Sequence, residues 1–324
     1  MLTRPRRNRK SPWVRAAHRE TTLGPEHFIY PLFIHDGADD IAIPSMPGCS
    51  RLGREGTLQE VEGALDDGVG AVVLFPAEPD EHKTPGGEES YNPNGLVQRT
   101  IAGLKSRWPE LTVITDVALD PYSSAGHDGL VSKDGRILND ETVEVLCKQA
   151  LSQAVAGADI ISPSDMMDGR VGAIRETLDA NGYNEVSILA YTAKYASAFY
   201  GPFRDALESH PGFGDKKTYQ MDPANVREAL REVELDELEG ADMIMVKPAM
   251  PYLDVIRLVR EATALPVAAY QVSGEYAMLK AASQNGWLEE KKVVLEALTA
   301  IRRAGSDVIL TYYARQAARW LQEA

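Results

Sequence analysis

The sequence predicts a closed (β/α)8 TIM barrel, and three observations carry that expectation. Eight short apolar or β-branched runs recur along the 324 residues, several apolar on both faces, as strands buried between helices must be. A helix-stop joint repeats: Gly157-Ala-Asp-Ile-Ile, Gly240-Ala-Asp-Met-Ile and Gly305-Ser-Asp-Val-Ile each end a helical stretch and open an apolar run. Glycine suits the left-handed position that closes a helix. No Pro/Gly/Ser-rich linker divides the chain into halves, so one closed barrel is favoured over a doubly wound open sheet.

Taken in order, residues 1–24 stand outside this rhythm. Arg4, Arg6, Arg7, Arg9 and Lys10 make a basic N-terminal arm. On an acidic chain it reads as an arm laid on a neighbouring subunit, ahead of a disordered tail or a nucleic-acid patch. The barrel is expected over 25–324, its strands over 28–33, 71–75, 111–117, 159–163, 186–191, 243–246, 266–272 and 307–312. Thr57-Leu-Gln-Glu60 reads as a capping box, with Leu58, Val61 and Leu65 marking one helix face. Gly68-Val-Gly70 precedes its strand, so it is a helix stop and not a dinucleotide fingerprint, which would follow the strand. Val143, Leu146, Ala150, Leu151 and Val155 form a second apolar stripe, and Asp222-Pro223 suits an N-cap and first helical turn. Irregular stretches 77–94 and 201–220 follow the second and fifth strands, where a barrel carries its active-site loops; both are lid candidates.

Composition narrows the class. Lys and Arg number 34 against 48 Asp and Glu, a net charge of −14 that disfavours nucleic acid as main partner. Cys49 and Cys147 lack CxxC spacing, which excludes a disulfide scaffold and a thiolate zinc cage and suits a reducing cytosol. Both thiols read as structural. No apolar run reaches the roughly 18 residues of a membrane span. The basic start lacks the apolar segment of a secretory signal. No P-loop occurs, and no organic cofactor is called for. The expectation is a cytoplasmic globular enzyme.

Its chemistry is expected at one end of the strands. Asp116 and Asp120 fall at and past the end of strand three; Ser164, Asp165 and Asp168 follow strand four. Lys194 and Lys247 end strands five and six, Ser273 strand seven, and Thr311 and Tyr312 strand eight. A barrel gathers all of these at its C-terminal mouth. Lone strand-end lysines usually snorkel or pair with a carboxylate such as Asp165 or Asp168. Two on adjacent strands lower each other's pKa, and burial lowers both, so imine formation with a ketone is the better reading. Arg204, Lys216 and Lys217 in the lid stretch suit a substrate carboxylate. His127, alone in a polar loop beside Asp128, reads as solvent-facing rather than metal-binding.

These residues resemble a known family. Met245-Val-Lys-Pro-Ala-Met-Pro-Tyr-Leu-Asp254 closely resembles the Schiff-base motif of the porphobilinogen synthases, also called 5-aminolevulinate dehydratases. The likeness extends through Asp116-Val-Ala-Leu-Asp-Pro121, Pro163-Ser-Asp-Met-Met-Asp-Gly-Arg170, Tyr191-Thr-Ala-Lys-Tyr-Ala-Ser197, Gly201-Pro-Phe-Arg-Asp205, Tyr219-Gln-Met-Asp-Pro223, Gln271-Val-Ser-Gly-Glu-Tyr276 and Gln284-Asn-Gly-Trp287. The resemblance implies a hydro-lyase of tetrapyrrole (haem) biosynthesis. It implies condensation of two 5-aminolevulinate molecules to porphobilinogen, in a TIM-barrel homo-octamer. By the same resemblance Lys194 and Lys247 form the imines, and Ser273 and Tyr312 hold the first substrate's carboxylate. Arg204 and Lys216 hold the second, and Asp116 and Ser164 lie near the substrate amine.

Three departures matter. Positions where many members carry zinc-binding cysteines read Ala118, Asp120 and Asp128, so no catalytic zinc is expected. The position often held by His in that loop is Ala125. The usual Gly after Lys-Pro is Ala249, tolerated only without a positive φ. Hard oxygens at Asp120 and Asp128 would suit Mg2+. Glu232, fifteen residues before Lys247, matches an allosteric Mg2+ carboxylate of similar bacterial enzymes. An aldolase-like barrel with one essential lysine is the nearest rival, and a barrel-shaped binding protein the different-class one.

Overall fold

A computed structural model describes residues 1–207, 212 and 214–323. Eight parallel strands lie on the eight runs: β1 Phe28–Ile34, β2 Ala71–Pro76, β3 Thr112–Val117, β4 Ile160–Pro163, β5 Ser187–Lys194, β6 Met243–Lys247, β7 Val267–Gln271 and β8 Val308–Thr311. Each pairs with the next, and β8 pairs back onto β1 with Phe28 opposite Ile309. The eight strands therefore close into a barrel, and a short antiparallel pair, Ile41–Ala42 and Ser50–Leu52, hangs from β1. The crossovers carry α1 Arg54–Asp66, α2 Leu96–Arg107, α3 Asn139–Ala156, α4 Arg170–Ala180, α5 Arg227–Leu238 and α6 Leu253–Ala262. α7 Ser273–Gln284 and α8 Glu290–Ala304 join β7 to β8, and α9 Ala314–Gln322 follows.

The repeated joints work as glycine chemistry dictates: Gly157, Gly240 and Gly305 take φ of 107°, 95° and 132° at the helix ends. Three local expectations need correction. α1 begins at Arg54, one turn before the supposed capping box, and the Thr57 hydroxyl donates to the Gly53 carbonyl at 2.9 Å. Asp222 caps a turn, accepting from the Ala224 amide at 2.8 Å, while α5 starts only at Arg227. α3 is rotated from the apolar stripe: Val155 is 62% exposed, and Gln149 and Gln153 face inward beside Leu146 and Ala150. Those amides donate to the Ala118 and Asp116 carbonyls at 3.3 and 3.2 Å, satisfying backbone that leaves the β3 end without a strand partner.

The arm forms a 3-10 turn at Pro5–Arg9 and a short helix at Pro12–Ala17, and neither has a residue buried against its own chain. Loop 77–94 is tied to the loop after β3. Its Thr84 amide donates to the Tyr122 carbonyl at 3.0 Å, and the Ser124 amide to Thr84 at 3.1 Å. Of the second lid candidate, Gly201–Leu207 is a short helix, while 208–211 and 213 lie outside the described residues. Among the described residues no helix is long and apolar enough to cross a membrane.

Candidate active site

β5 and β6 end in register, with Lys194 opposite Lys247. Both lysines are buried, yet their surroundings differ. Lys247 Nζ lies 4.6 Å from the ring centre of Tyr270, 5.0 Å from Tyr191 and 5.2 Å from both Tyr200 and Phe203. Among the described residues no carboxylate pairs with it. The rings favour an ammonium, but burial and then the Lys194 charge outweigh them and push Lys247 down to about 7. Lys194 instead donates to Asp128 Oδ1 at 3.0 Å and to the Ser164 carbonyl.

Asp128 is the hub of the polar half. Its Oδ2 takes Lys216 at 2.7 Å and the Tyr219 hydroxyl at 2.8 Å. Burial alone would raise its pKa, but Lys194 and Lys216 hold it well below the usual carboxylate range. Lys216 also reaches Asp120 at 3.3 Å; burial opposes its charge, and the two carboxylates keep its pKa raised nonetheless. Asp120 and Asp128, the low-ranked metal ligands of the sequence, thus share two ammonium groups. A divalent ion there would have to displace Lys216, so this donor set does not fit a metal.

Asp116 sits across the mouth, raised to about 6 by burial against the pull of Lys194 and Lys247. Its Oδ1 has no hydrogen-bond partner, and the Ser164 side chain bonds the carboxylate. Ser273 Oγ accepts from the Phe203 amide at 2.9 Å and donates to the Phe199 carbonyl at 3.3 Å. Tyr312 shares a 2.8 Å hydrogen bond with Tyr270. Arg204 lines the same cavity from Gly201–Leu207. The space left between Asp116, Ser164, Arg204, Lys216 and the two lysines is small, about 30 Å³. A larger groove of about 510 Å³ lies between α1 and α2 and holds none of them.

Other expected residues lie elsewhere. Asp168 is exposed, and its amide bonds Asn139. Asp165 is buried beside Arg170, whose guanidinium also pairs with Asp236 at 3.2 Å; burial raises Asp165 to about 6. His127 is buried, not solvent-facing, with Nδ1 3.1 Å from the Tyr219 hydroxyl. Lys217 is exposed beside Asp215. Glu232, half-buried on α5, is raised to about 7 by burial and by Asp236, Asp168 and Glu228, against the pull of Arg170.

Sequence reasoning missed Tyr219 and Glu275. Glu275 accepts from the Met250, Val272 and Ala249 amides at 2.6, 2.7 and 3.3 Å, clasping the turn after Lys247 to the β7–α7 junction. Its place three residues after Val272, in the first turn of α7, was the available signal. Ala249 has φ −96°, so the replaced glycine needs no left-handed backbone.

Fold and site define a (β/α)8 barrel enzyme with paired lysines at its mouth. A family model described as delta-aminolevulinic acid dehydratase matches residues 2–320. The chain belongs to the delta-aminolevulinic acid dehydratase family and is a lyase. The chloroplastic enzyme of Physcomitrium patens is 66% identical over 322 residues, covering 99% of this chain and 74% of that one. The chloroplastic enzyme 1 of Arabidopsis thaliana is 63% identical over 319 residues, covering 98% and 74%. A crystal structure of the Toxoplasma gondii enzyme with its product porphobilinogen matches with a TM-score of 0.99 at 58% identity, covering 100% and 92%. The relatives named chloroplastic overturn the cytoplasmic expectation. Unpaired thiols report a reducing milieu, and the cytosol is not the only one.

Proposed function

We propose that the chain condenses two 5-aminolevulinate molecules to porphobilinogen, releasing two waters, with each ketone held as an imine on one lysine. The observation that carries this is the register pair Lys194 and Lys247, one ammonium held by a carboxylate and one amine free to lose its charge. Neutral Lys247 attacks a ketone carbon, and the carbinolamine then expels water to give the imine. Lys194 must first release its proton. Asp116, near 6 and with one oxygen unpartnered, is placed to accept and return protons between the two. Ser273 and Tyr312 take one substrate carboxylate; Arg204 and Lys216 take the other. Ser164 orients the amine beside Asp116. The cavity is small as it stands, so Gly201–Leu207, which lines it, is the element expected to move outward for entry and back to exclude water. Borohydride with 5-aminolevulinate, read by mass spectrometry, should leave adducts on Lys247 and Lys194. An unmodified protein would refute the reading and favour a binding role.

We place Mg2+ at Glu232, not in the mouth. One half-buried carboxylate suits an ion that keeps most of its water. The arm, with no buried residue on its own chain, is proposed to cover a neighbouring subunit in a homo-octamer. Glu232→Ala should lose Mg2+ stimulation while keeping basal turnover. Deleting residues 1–10 should shift sedimentation to smaller species, most at low salt. Full stimulation of the variant, or an unchanged octamer, would reject the respective assignment.

A further inference from the structure

Loop 77–94 carries a side-chain cluster that the condensation does not use. The 3-10 turn Asp80–His82 brings His82 back over Glu78, with Nδ1 3.1 Å from Glu78 Oε2. The next turn, Glu88–Tyr91, supplies Glu89. One ligand-type atom from each of the three lies within 4.8 Å of the other two. The independent pointer to a ligand is Glu78 itself. Its side chain is 2% exposed, and its Oε1 has no hydrogen-bond partner. Leaving a buried carboxylate oxygen unpaired is costly, and Glu89 adds a second negative charge beside it. Asp36, which also faces Glu78, is a third anion and is paired with Arg99 at 3.0 Å.

We infer that Glu78, His82 and Glu89 form a binding site for a divalent transition ion of the Zn2+ class, separate from the lysines. Ligands held about 2.1 Å from a tetrahedral ion stand roughly 3.4 Å apart; His82 and Glu78, hydrogen-bonded at 3.1 Å, are near that spacing, and the ion would take the place of the proton they share. Glu89 needs only a small closing movement, its oxygens otherwise taking the Asn92 side chain at 3.0 and 3.1 Å. Imidazole with two carboxylates selects Zn2+ over Mg2+, which prefers an all-oxygen octahedron. The His82 side chain is 42% exposed, leaving an approach for water at the fourth position. The ion would brace the mouth wall, because Thr84 ties this loop to the segment from Leu119 to Ser124 that includes Asp120.

The test uses the full chain in the Glu232→Ala background, stripped with chelator and titrated with Zn2+ by calorimetry. One site per chain is expected. Affinity should fall at least tenfold in Glu78→Gln and in His82→Ala, with no loss in the control His35→Ala. A hundredfold excess of Mg2+ should not displace the ion, and zinc-edge anomalous diffraction should place it between the three side chains. Retained borohydride trapping at Lys247 shows that a variant is folded; if Glu78→Gln fails that check, Glu89→Gln replaces it. No stoichiometric binding, equal affinity in the folded variants, or displacement by equimolar Mg2+ would each overturn the site.

Discussion

Lys194 and Lys247 stand opposite each other at the ends of neighbouring strands, with the same residue type, burial and register. Around Lys194 lie Asp128, a carbonyl and, through Asp128, Lys216. Around Lys247 lie four aromatic rings and, among the described residues, no carboxylate paired with it. Burial and the neighbouring Lys194 charge push Lys247 toward neutrality, while Lys194 keeps a carboxylate against it. The fold thus places two amines a strand apart and gives them different surroundings through what the loops bring to each.

The sharpest way to break this comparison is to keep both charges and remove either amine. Lys247→Arg should reduce turnover on the order of 10⁴-fold or more, since guanidinium cannot form the imine. Lys194→Arg should also stop product formation yet retain a borohydride adduct on Lys247. Loss of that adduct in Lys194→Arg would mean that the two sites do not react separately.

Asp128→Asn attacks one side only. It leaves Lys194 and Lys216 buried without their shared counter-charge, and breaking a buried ionic cluster costs about 3 kcal/mol. Thermal unfolding should fall accordingly, and KM should rise more than kcat drops, because Lys216 loses its anchor. Lys247 trapping should survive. An unchanged unfolding midpoint would show that Asp128 is not the hub of that half.

The strands and the two lysines were legible because glycine stops mark where β2, β4, β6 and β8 start and apolar runs mark the extent of all eight. The partners of those lysines were not. Asp128 meets Lys194 across 66 positions of sequence, and Tyr219 meets Asp128 across 91; no local periodicity encodes either. His127 looked solvent-facing for the same reason, since the tyrosine that shelters it is distant in sequence. Asp168 failed differently: the chain is buried from Pro163 to Met167, and Asp168, one residue further on, is exposed. Gln149 and Gln153 broke the apolar pattern of α3 because strand-end carbonyls need donors, a demand visible only once the barrel is closed.

A pH series sharpens the contrast without mutation. Lys247 is depressed to about 7 from the ordinary lysine value, so its neutral form grows as pH rises through 7. The rate of single-site trapping in Lys194→Arg should climb about tenfold between pH 6 and 8 and then level. A rate still climbing steeply at pH 9 would place Lys247 near an ordinary lysine and erase the difference between the two sides.

The smallest expected effect probes the aromatic half. The Tyr200 hydroxyl donates to the Lys247 carbonyl at 3.2 Å, and that carbonyl also accepts from the Tyr195 amide at 3.0 Å. Tyr200→Phe therefore leaves one partner and the ring face in place. The loss should be about 1 kcal/mol, a few-fold in kcat, with no movement of the trapping midpoint. Tyr200→Leu removes the ring, 5.2 Å from Nζ, and with it an attraction for the charged form. Its midpoint should move down by roughly half a pH unit, because an ammonium with fewer aromatic faces is easier to discharge. If the midpoint instead moved up, water would be entering where the ring had been, and the rings would act on Lys247 by excluding solvent and not through their faces.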